Sequence, residues 1–406
     1  MFSIVIPTHD RLDLLREVIE TVVTQNYADW ELVVFDNASK DGTTDYVKGL
    51  AHPKIRHGRS EDFLPVTESW NRAMALATGD YVTLLGDDDG IVPGFFGRMA
   101  EIVREFKSPQ VIYTALYQYM YPGVLPSSPA GYVVEVKNGF FFVGRTAPFL
   151  ISREAAAQAV RGSLGLRRNF TYNSQAISYH RDFLKQLKAD GPIYRSPFPD
   201  YYLANVAFAK ARTLVVVPEP LSIAGVSRAS FGFTLFNGLE EVGSTLLNTK
   251  LSADPLYSEV ERFLLPGPLY NTNFVITMQH VARYLPEYTK SGVAFDRYRR
   301  LQIYRVLSAQ NGRLNGSAAA QAQWCRLSLM EKLWTVGLSL LMKSSQALDK
   351  ANQVRDTFLV PKLEPYAYQP ETALIHEGEF SHLIDFYHWL QAQPQPVSQS
   401  KPSSAQ

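Results

Sequence analysis

The sequence predicts an α/β protein in which a mostly parallel β-sheet, covered by helices on both faces, is followed by a helical C-terminal domain. Three features support this prediction. Short apolar strands alternate with amphipathic helices over roughly the first hundred residues, and polar residues follow the strand ends. From about residue 235 onward, apolar residues recur mainly at helical spacing.

The N-terminal elements follow a repeating strand–helix order. The predicted strands of this part are residues 3–7, 31–35, 54–57 and 82–85. The first helix runs through Gln25, and a later one covers residues 68–77 and ends before Gly79. Further strands complete the predicted sheet at residues 110–117, 132–136, 174–179, 213–217 and 221–224. Because parallel strands end at the same edge of a sheet, their terminal loops should converge on one crevice.

Composition limits the kind of protein this is. The chain has 406 residues, 46% of them hydrophobic and 19% charged, which is enough for a large core and for two domains. A net charge of +1 gives no broad electrostatic footprint for nucleic acid. The single cysteine, Cys325, rules out an internal disulfide and favours a reducing compartment.

Neither a signal peptide nor a transmembrane helix is predicted. The first ten residues, MFSIVIPTHD, lack a cationic start and a long apolar run. The apolar run at 333–342 is about half the ~20 residues needed to span a bilayer. These features favour a cytoplasmic location, with peripheral contact to the inner face of the cell membrane as an option.

Three consecutive aspartates stand out in the stretch from Tyr81 to Gly94. Asp87, Asp88 and Asp89 follow directly after an apolar strand and Gly86. Carboxylate oxygens at this edge of a sheet suit Mg²⁺ or Mn²⁺, which would share its other coordination sites with phosphate oxygens. The alternative is an acidic turn that only faces solvent.

Three motifs in this part of the chain resemble the family 2 glycosyltransferases, which have the Rossmann-like GT-A fold. IVIPTHDR is similar to the family's opening strand and loop, and FDNASKDGT resembles its second-strand motif. WNRAMALATGDYVTLLGDDDGIVP is similar to its asparagine helix, glycine and metal-binding segment. The motifs agree with the family in order and spacing over roughly the first hundred residues, and each alone is weak.

The resemblance implies a site for a nucleotide-sugar donor that is linked to UDP, dTDP or GDP. The donor-binding positions that it implies are Pro7, Thr8, Arg11, Asp36, Asn37, Asn71 and Asp87. Asp88 is the implied ligand of a divalent metal, Mn²⁺ or Mg²⁺, and the division of labour among the three aspartates stays open.

The chain departs from the family pattern at two positions. Gly86 stands where many members carry an aspartate, so the usual spaced pair of aspartates is incomplete. Trp70 precedes Asn71 where relatives often have arginine, and we expect its ring to pack in the core.

Asp200 is the candidate general base. It follows a proline-bounded loop at the start of an apolar helix, and it resembles the family's later acidic motif, whose carboxylate is the base of direct inversion at the anomeric carbon. Its alternative role is that of a helix N-cap. The polar loop over residues 225–230 is expected either to close over the donor phosphates, with Arg228, or to act as a flexible hinge.

The predicted domains are residues 1–234 for the glycosyltransferase unit, 235–392 for the helical unit and 393–406 for a disordered tail. The helices are expected over residues 239–250, 256–265, 269–285, 296–310, 318–344 and 376–391. Within residues 326–343 a narrow polar stripe crosses an otherwise apolar helix. That helix is interpreted as a core element or part of a homodimer contact, with docking at a membrane near a lipid-linked acceptor as the third option.

The sequence therefore predicts an inverting, metal-dependent glycosyltransferase that acts on a saccharide or lipid-linked acceptor, as in surface polysaccharide or glycoconjugate synthesis. The alternative is a catalytically inactive nucleotide-sugar-binding or assembly protein, which the glycine at position 86 keeps open. A nucleotidyltransferase is disfavoured, because no glycine precedes Gly42 and a glycine-rich loop after the first strand is therefore absent.

Overall fold

A computed structural model describes residues 1–288, 292–314, 317–345 and 371–393. The strands are β1 (Phe2–Thr8), β2 (Trp30–Asp36), β3 (Ile55–Arg59), β4 (Tyr81–Leu84), β5 (Gly90–Ile91), β6 (Val111–Met120), β7 (Tyr132–Lys137), β8 (Phe149–Leu150), β9 (Ile177–His180), β10 (Leu214–Val226) and β11 (Glu371–Glu377). The helices of the N-terminal part are α1 (Leu12–Val23), α2 (Thr43–Gly49), α3 (Val66–Ala75), α4 (Phe95–Glu105), α5 (Arg153–Leu164), α6 (Arg181–Ala189) and α7 (Pro199–Lys210). The later helices are α8 (Phe231–Phe236), α9 (Glu240–Leu246), α10 (Tyr257–Val260), α11 (Leu269–Tyr284), α12 (Phe295–Ser308), α13 (Ala318–Arg326), α14 (Leu329–Ser345) and α15 (Leu383–Ala392).

The strands form one sheet whose N-terminal part is parallel. The strand order is β11-β7-β6-β9-β4-β1-β2-β3, and the pairs among β3, β2, β1 and β4 are parallel. The prediction of a mostly parallel sheet holds for this part alone, because β9 is antiparallel to both β4 and β6, and β7 and β11 continue antiparallel. β10 pairs parallel with β6, so it runs in the same direction as β1 and β4.

Helices cover both faces of the sheet, as predicted. Alternate residues of β1 enter different cores: Ile4 and Ile6 pack with α1 and α4, whereas Val5 packs on the side of α3, α5 and α7. The two-sided burial explains why the strands are almost continuously apolar. The predicted class, an α/β sheet with helices on both faces and further helices in the C-terminal part, is confirmed.

The end of the chain corrects the predicted helical unit at 235–392. Residues 371–377, partly predicted as helix, form strand β11, which pairs antiparallel with β7 at the edge of the sheet. α15 then packs Leu383 and Phe386 into the core beside α1. The predicted helix at 376–391 therefore begins only at residue 383. The chain returns to the sheet because β7 offers an unpaired edge; residues 394–406, predicted to be disordered, lie outside the described residues.

The predicted helix at 318–344 is divided into α13 and α14. Ser328 starts the second helix, since its hydroxyl accepts from the backbone N–H of Glu331 (3.4 Å) and its own N–H donates to the Glu331 carboxylate (2.8 Å). Within the parts of the chain described here, no helix combines the length and the apolar character needed to cross a bilayer.

Candidate active site

The loops after β1, β4 and β10 meet at one edge of the sheet, because these three strands run in the same direction. Thr8 ends β1, the three aspartates follow β4, and Ser227 follows β10. All three aspartates are buried, at 2–6% exposure. The predicted convergence of strand-end loops is thus present, and each carboxylate within it has a different set of partners.

Asp87 is held by the first loop. Its two carboxylate oxygens accept separate hydrogen bonds, one from the Thr8 hydroxyl and one from the Arg11 guanidinium, both 2.8 Å long. Arg11 also donates to the carbonyl of Ala229 (2.5 Å), so it joins this loop to the one after β10. With both oxygens engaged, Asp87 is placed to fix the loop and to balance the charge of Arg11.

Asp88 is engaged on one side only. Its Oδ2 accepts from the backbone N–H (3.2 Å) and the hydroxyl (2.8 Å) of Ser227. Among the described residues, none donates a hydrogen bond to its Oδ1. Burial raises the pKa of Asp88, and the nearby charge of Asp87 adds to this, although Arg11 and Ser227 act in the opposite direction.

The carboxylate of Asp89 binds back to the start of the aspartate turn. Its Oδ2 accepts from the N–H of Gly86 (2.6 Å), and its Oδ1 accepts from the N–H of Gly225 (3.0 Å) and the side-chain amide of Gln175 (3.2 Å). A Cβ added at Gly86 would lie 2.8 Å from Asp89 Oδ2. The glycine at position 86 therefore makes room for the carboxylate of Asp89. Burial, reinforced by Asp88, raises the pKa of Asp89 well above its ordinary value.

The close approach of Gly225 to this turn leads to a prediction. A Cβ at Gly225 would lie 1.6 Å from the backbone oxygen of Asp88, so Gly225→Ala must push β10 away from the aspartates. We expect a destabilisation of about 1–3 kcal/mol or more, measured by denaturant unfolding, together with loss of donor binding. Gly97→Ala in α4 is the control, because a Cβ there meets nothing within 4 Å and alanine favours the helix. Equal stability of the two variants would contradict the close contact.

Asp36 and Asn37 lie at the end of β2, where their side chains hold neighbouring loops. Asp36 is fully buried and accepts from the Ser39 N–H (2.7 Å), the Thr44 hydroxyl and the Arg59 guanidinium. Burial alone would raise the pKa of Asp36, but these hydrogen bonds lower it. Asn37 exchanges hydrogen bonds with the backbone of Leu64. Contact of both residues with a nucleotide-sugar donor stays a prediction. In the structure, both residues hold the loops around the site.

Pro7 and Asn71 have positions that favour structural roles. Pro7 is buried inside β1 opposite Phe35 of β2. The side-chain amide of Asn71 donates to the carbonyl of Tyr194 (2.9 Å) and accepts from its N–H (3.1 Å), which joins α3 to the loop before Asp200. The ring of Trp70 packs edge-on against Tyr194, as predicted, with centroids 5.2 Å apart.

Asp200 lies in the first turn of α7 but is not its N-cap, so that alternative is wrong. Phe198 holds the cap position, and Asp200 Oδ1 accepts from the adjacent N–H of Tyr201 (2.9 Å). Burial raises the pKa of Asp200 to about 7, although that hydrogen bond and the charge of Arg168 oppose the shift. The ring of Phe198 contacts that of Phe231 (5.5 Å), which links this helix to the loop that holds Asp88.

The aspartate turn suits a divalent cation that is shared with a ligand. In the described part of the chain, no group of three or more acidic, histidine or cysteine side chains could hold a metal by itself. Asp88 Oδ1, with no internal partner there, offers one carboxylate ligand. Mg²⁺ sites that use one or two carboxylates plus substrate phosphates and water have this donor set.

Three residues that hold the aspartates were not identified from the sequence as their partners: Gln175, Gly225 and Ser227. The only signal was the polar loop at 225–230, which was expected to contact donor phosphates. Its serine instead holds the carboxylate of Asp88, and Arg228 is exposed and donates to the carbonyl of Gly123 (3.3 Å).

Comparison with known proteins identifies the N-terminal part of the chain. Residues 3–135 match the family model described as Glycosyl transferase family 2. WcaA of Escherichia coli (strain K12), named for colanic acid biosynthesis, is 28% identical over 144 residues, which are 34% of this chain and 50% of that protein. EpsE of Bacillus subtilis (strain 168) is 28% identical over 162 residues, 38% of this chain and 56% of that protein.

A PGL/p-HBAD biosynthesis glycosyltransferase of Mycobacterium tuberculosis (strain ATCC 25177 / H37Ra) is 30% identical over 118 residues, 28% of this chain and 45% of that protein. The chain spans about half the length of these curated relatives. Among solved structures, residues 1–349 of S. aureus TarS give a TM-score of 0.44 at 16% identity, over 85% of this chain and 90% of that one.

The N-terminal part is thus an α/β unit with a cluster of aspartates at the carboxyl edge of its parallel strands, where open α/β sheets bind ligands. Residues 3–135 match the model of glycosyl transferase family 2, which confirms the resemblance drawn from the three motifs.

Proposed function

We propose that this protein is an inverting glycosyltransferase that moves a sugar from a nucleotide-sugar donor to an acceptor hydroxyl with the help of a divalent metal. Residues 3–135 support the transferase class, because they match the model of a glycosyltransferase family. The names of the relatives support a role in surface polysaccharide or glycoconjugate synthesis. The single cysteine fits a reducing, cytoplasmic setting.

One observation carries the proposal, namely the unequal use of the three carboxylates in the aspartate turn. Both oxygens of Asp87 and both oxygens of Asp89 accept hydrogen bonds from the protein. Asp88 Oδ1 has no such partner among the described residues, although the side chain is 6% exposed. This oxygen is not fully buried, so a ligand can reach it, and a metal–diphosphate complex uses a carboxylate oxygen of this kind.

The chain's own residues divide the work of transfer between two places. Asp88, oriented by Ser227, would hold the metal, which when bound stabilises the negative charge that develops on the departing diphosphate. Asp200 would accept the proton of the attacking hydroxyl. A carboxyl with a pKa of about 7 is suited to this, since a general base works best with a pKa near the working pH.

Binding of nucleotide-sugars tests the proposal. UDP-, dTDP- and GDP-linked sugars are added to the purified chain with Mn²⁺ or with EDTA, and the melting temperature is measured. At 100 times its Kd a donor stabilises the protein by about 2.7 kcal/mol, so one donor class should raise the melting temperature in Mn²⁺ and not in EDTA. If no nucleotide-sugar or nucleoside diphosphate does so, the donor site is wrong.

Release of nucleoside diphosphate separates the enzyme from its alternative. In the presence of metal, an active transferase moves the sugar of the stabilising donor to an acceptor, or slowly to water, and releases the nucleoside diphosphate. Donor binding without any release, across a panel of saccharide and lipid-linked acceptors, would favour the inactive nucleotide-sugar-binding protein instead.

A further inference from the structure

Helix α14 presents an apolar stripe to solvent. Leu329, Leu333 and Leu340 are 74%, 60% and 60% exposed, and Met330 and Val336 are also exposed. Positions 329, 333, 336 and 340 follow the helical spacing of four, three and four, so they lie on one face. A stripe of large exposed apolar side chains on one helix is uncommon unless the face contacts something.

Two small polar residues of the helix point inward, so the fold fixes the orientation of the apolar stripe. Thr335 and Ser339 are buried, and the Ser339 hydroxyl donates to the carbonyl of Gly312 (2.5 Å). Leu338 and Met342 pack in a small core against α12. The part of the predicted polar stripe formed by Thr335 and Ser339 therefore faces the protein, and rotation of the helix to hide its leucines would break these contacts.

The segment of the chain that contains the stripe is rich in basic residues. The sequence from 292 to 345 carries eight basic and two acidic residues, a net charge of +6, whereas the whole chain has +1. Both acids are already paired, Glu331 with Arg299 (2.6 Å) and Asp296 with Arg300 (3.7 Å). Lys332 and Lys343 lie along one edge of the stripe by helical geometry. No carboxylate among the described residues lies within ion-pair distance of either lysine.

We propose that α14 lies flat on an anionic lipid surface, with its leucine stripe in the acyl boundary and its lysines against the headgroups. An apolar face bordered by lysines is the pattern of helices that lie in the plane of a membrane interface. Negative headgroups complement the net charge of +6, whereas a second copy of the chain would bring two such positive regions together. The charge of the region thus favours lipid over self-association.

Vesicle flotation of the whole chain tests this surface. The protein should float with vesicles of phosphatidylcholine and phosphatidylglycerol at low salt. It should float much less with phosphatidylcholine alone, or at ~0.5 M salt, because the electrostatic screening length falls toward about 3 Å as the salt concentration approaches ~1 M. The double change Leu333→Asp and Leu340→Asp should weaken binding by more than about tenfold. Lys332→Gln and Lys343→Gln should each weaken it about fivefold at low salt.

A matched control lies outside α14. Leu374 of β11 is 62% exposed and lies outside the stripe, so Leu374→Asp should bind vesicles like the wild type. The changed leucines and Lys343 are exposed, whereas Lys332 is half-buried with its ammonium over the ring of Trp324. Unaltered melting temperatures will show that the variants fold. Absence of binding to anionic vesicles overturns the proposal. The proposal is also overturned if the wild type is a dimer, and the double aspartate change makes it a monomer but leaves flotation unchanged.

Discussion

Asp200→Asn is expected to lower sugar transfer by roughly 10²–10⁴-fold and to leave metal-dependent donor binding nearly unchanged. The amide keeps the shape of the side chain and can still accept from the N–H of Tyr201, but it cannot take a proton from the acceptor. Calorimetry of donor binding and single-turnover transfer separate the two effects. Asp182→Asn is the control, since Asp182 occupies the first turn of α6, is exposed and pairs with Lys185.

The pH dependence of the transfer rate should reflect the ionisation of Asp200. Because its pKa is about 7, Asp200 is largely protonated below pH 7, and the rate at saturating donor should rise as the pH increases through 7. The asparagine variant should lose this rise along with most of its rate. Transfer close to the wild-type level, with the rise intact, would remove Asp200 as the base.

Stability gives an independent readout on the same variant. The folded pKa of Asp200 is raised from 3.8 to about 7, so between these values the folded state binds more protons than the unfolded one. Stability contributed by this group therefore falls as the pH rises from about 4 to 7. Asp200→Asn should melt at a higher temperature than the wild type at pH 8, and the difference should shrink at pH 5. A lower melting temperature at both pH values would point to a structural role instead.

The N-terminal half of the sheet could be predicted because its signals are local. Residues such as Val5 and Val33 lie in strands buried on both faces, and the helices between them have clear periodicity. The antiparallel strands could be placed in the sequence but not in the sheet. Insertion of β9 between β4 and β6 depends on pairing between residues almost a hundred positions apart, as in Thr83 with Ser178, which no local pattern encodes.

Two elements show where local patterns mislead. Residues 371–377 adopt a strand because the edge of β7 accepts it, although their neighbours favour helix. In α14 the apolar residues outnumber the polar ones, so amphipathicity alone suggested that the leucines face the core. The buried hydrogen bond from Ser339 to Gly312 decides the orientation instead. Both outcomes are set by tertiary partners.

The candidate site, like the fold, could be predicted from the sequence only in part. The aspartates, Thr8 and Arg11 could be proposed from motifs, because they immediately follow strands. The separation of roles among Asp87, Asp88 and Asp89 could not, since it depends on partners from distant segments such as Gln175 and Ser227. The glycine at position 86, which suggested an incomplete site, is explained only by the carboxylate of Asp89 that fills the adjacent space.

Asp88→Asn should weaken Mn²⁺-dependent donor binding by more than ~10²-fold, beyond the 10–100-fold typical of changes to residues that merely orient a metal ligand. The amide can still accept from Ser227, but it removes the negative charge that the cation requires. Ser227→Ala keeps the backbone donor and loses only the hydroxyl, so it should cost about tenfold. Calorimetry with donor and Mn²⁺ measures both.

The metal-free stability of the same variant distinguishes loss of a ligand from loss of the fold. Burial and the neighbouring Asp87 raise the pKa of Asp88, so ionisation of this side chain is unfavourable in the folded protein without metal. Asp88→Asn should therefore melt no lower than the wild type in EDTA at pH 8, and it should gain no stability from Mn²⁺ and donor. Donor binding at the wild-type level in Mn²⁺ would exclude Asp88 as the metal ligand, whereas a large drop of the melting temperature in EDTA would show that its carboxylate mainly supports the turn.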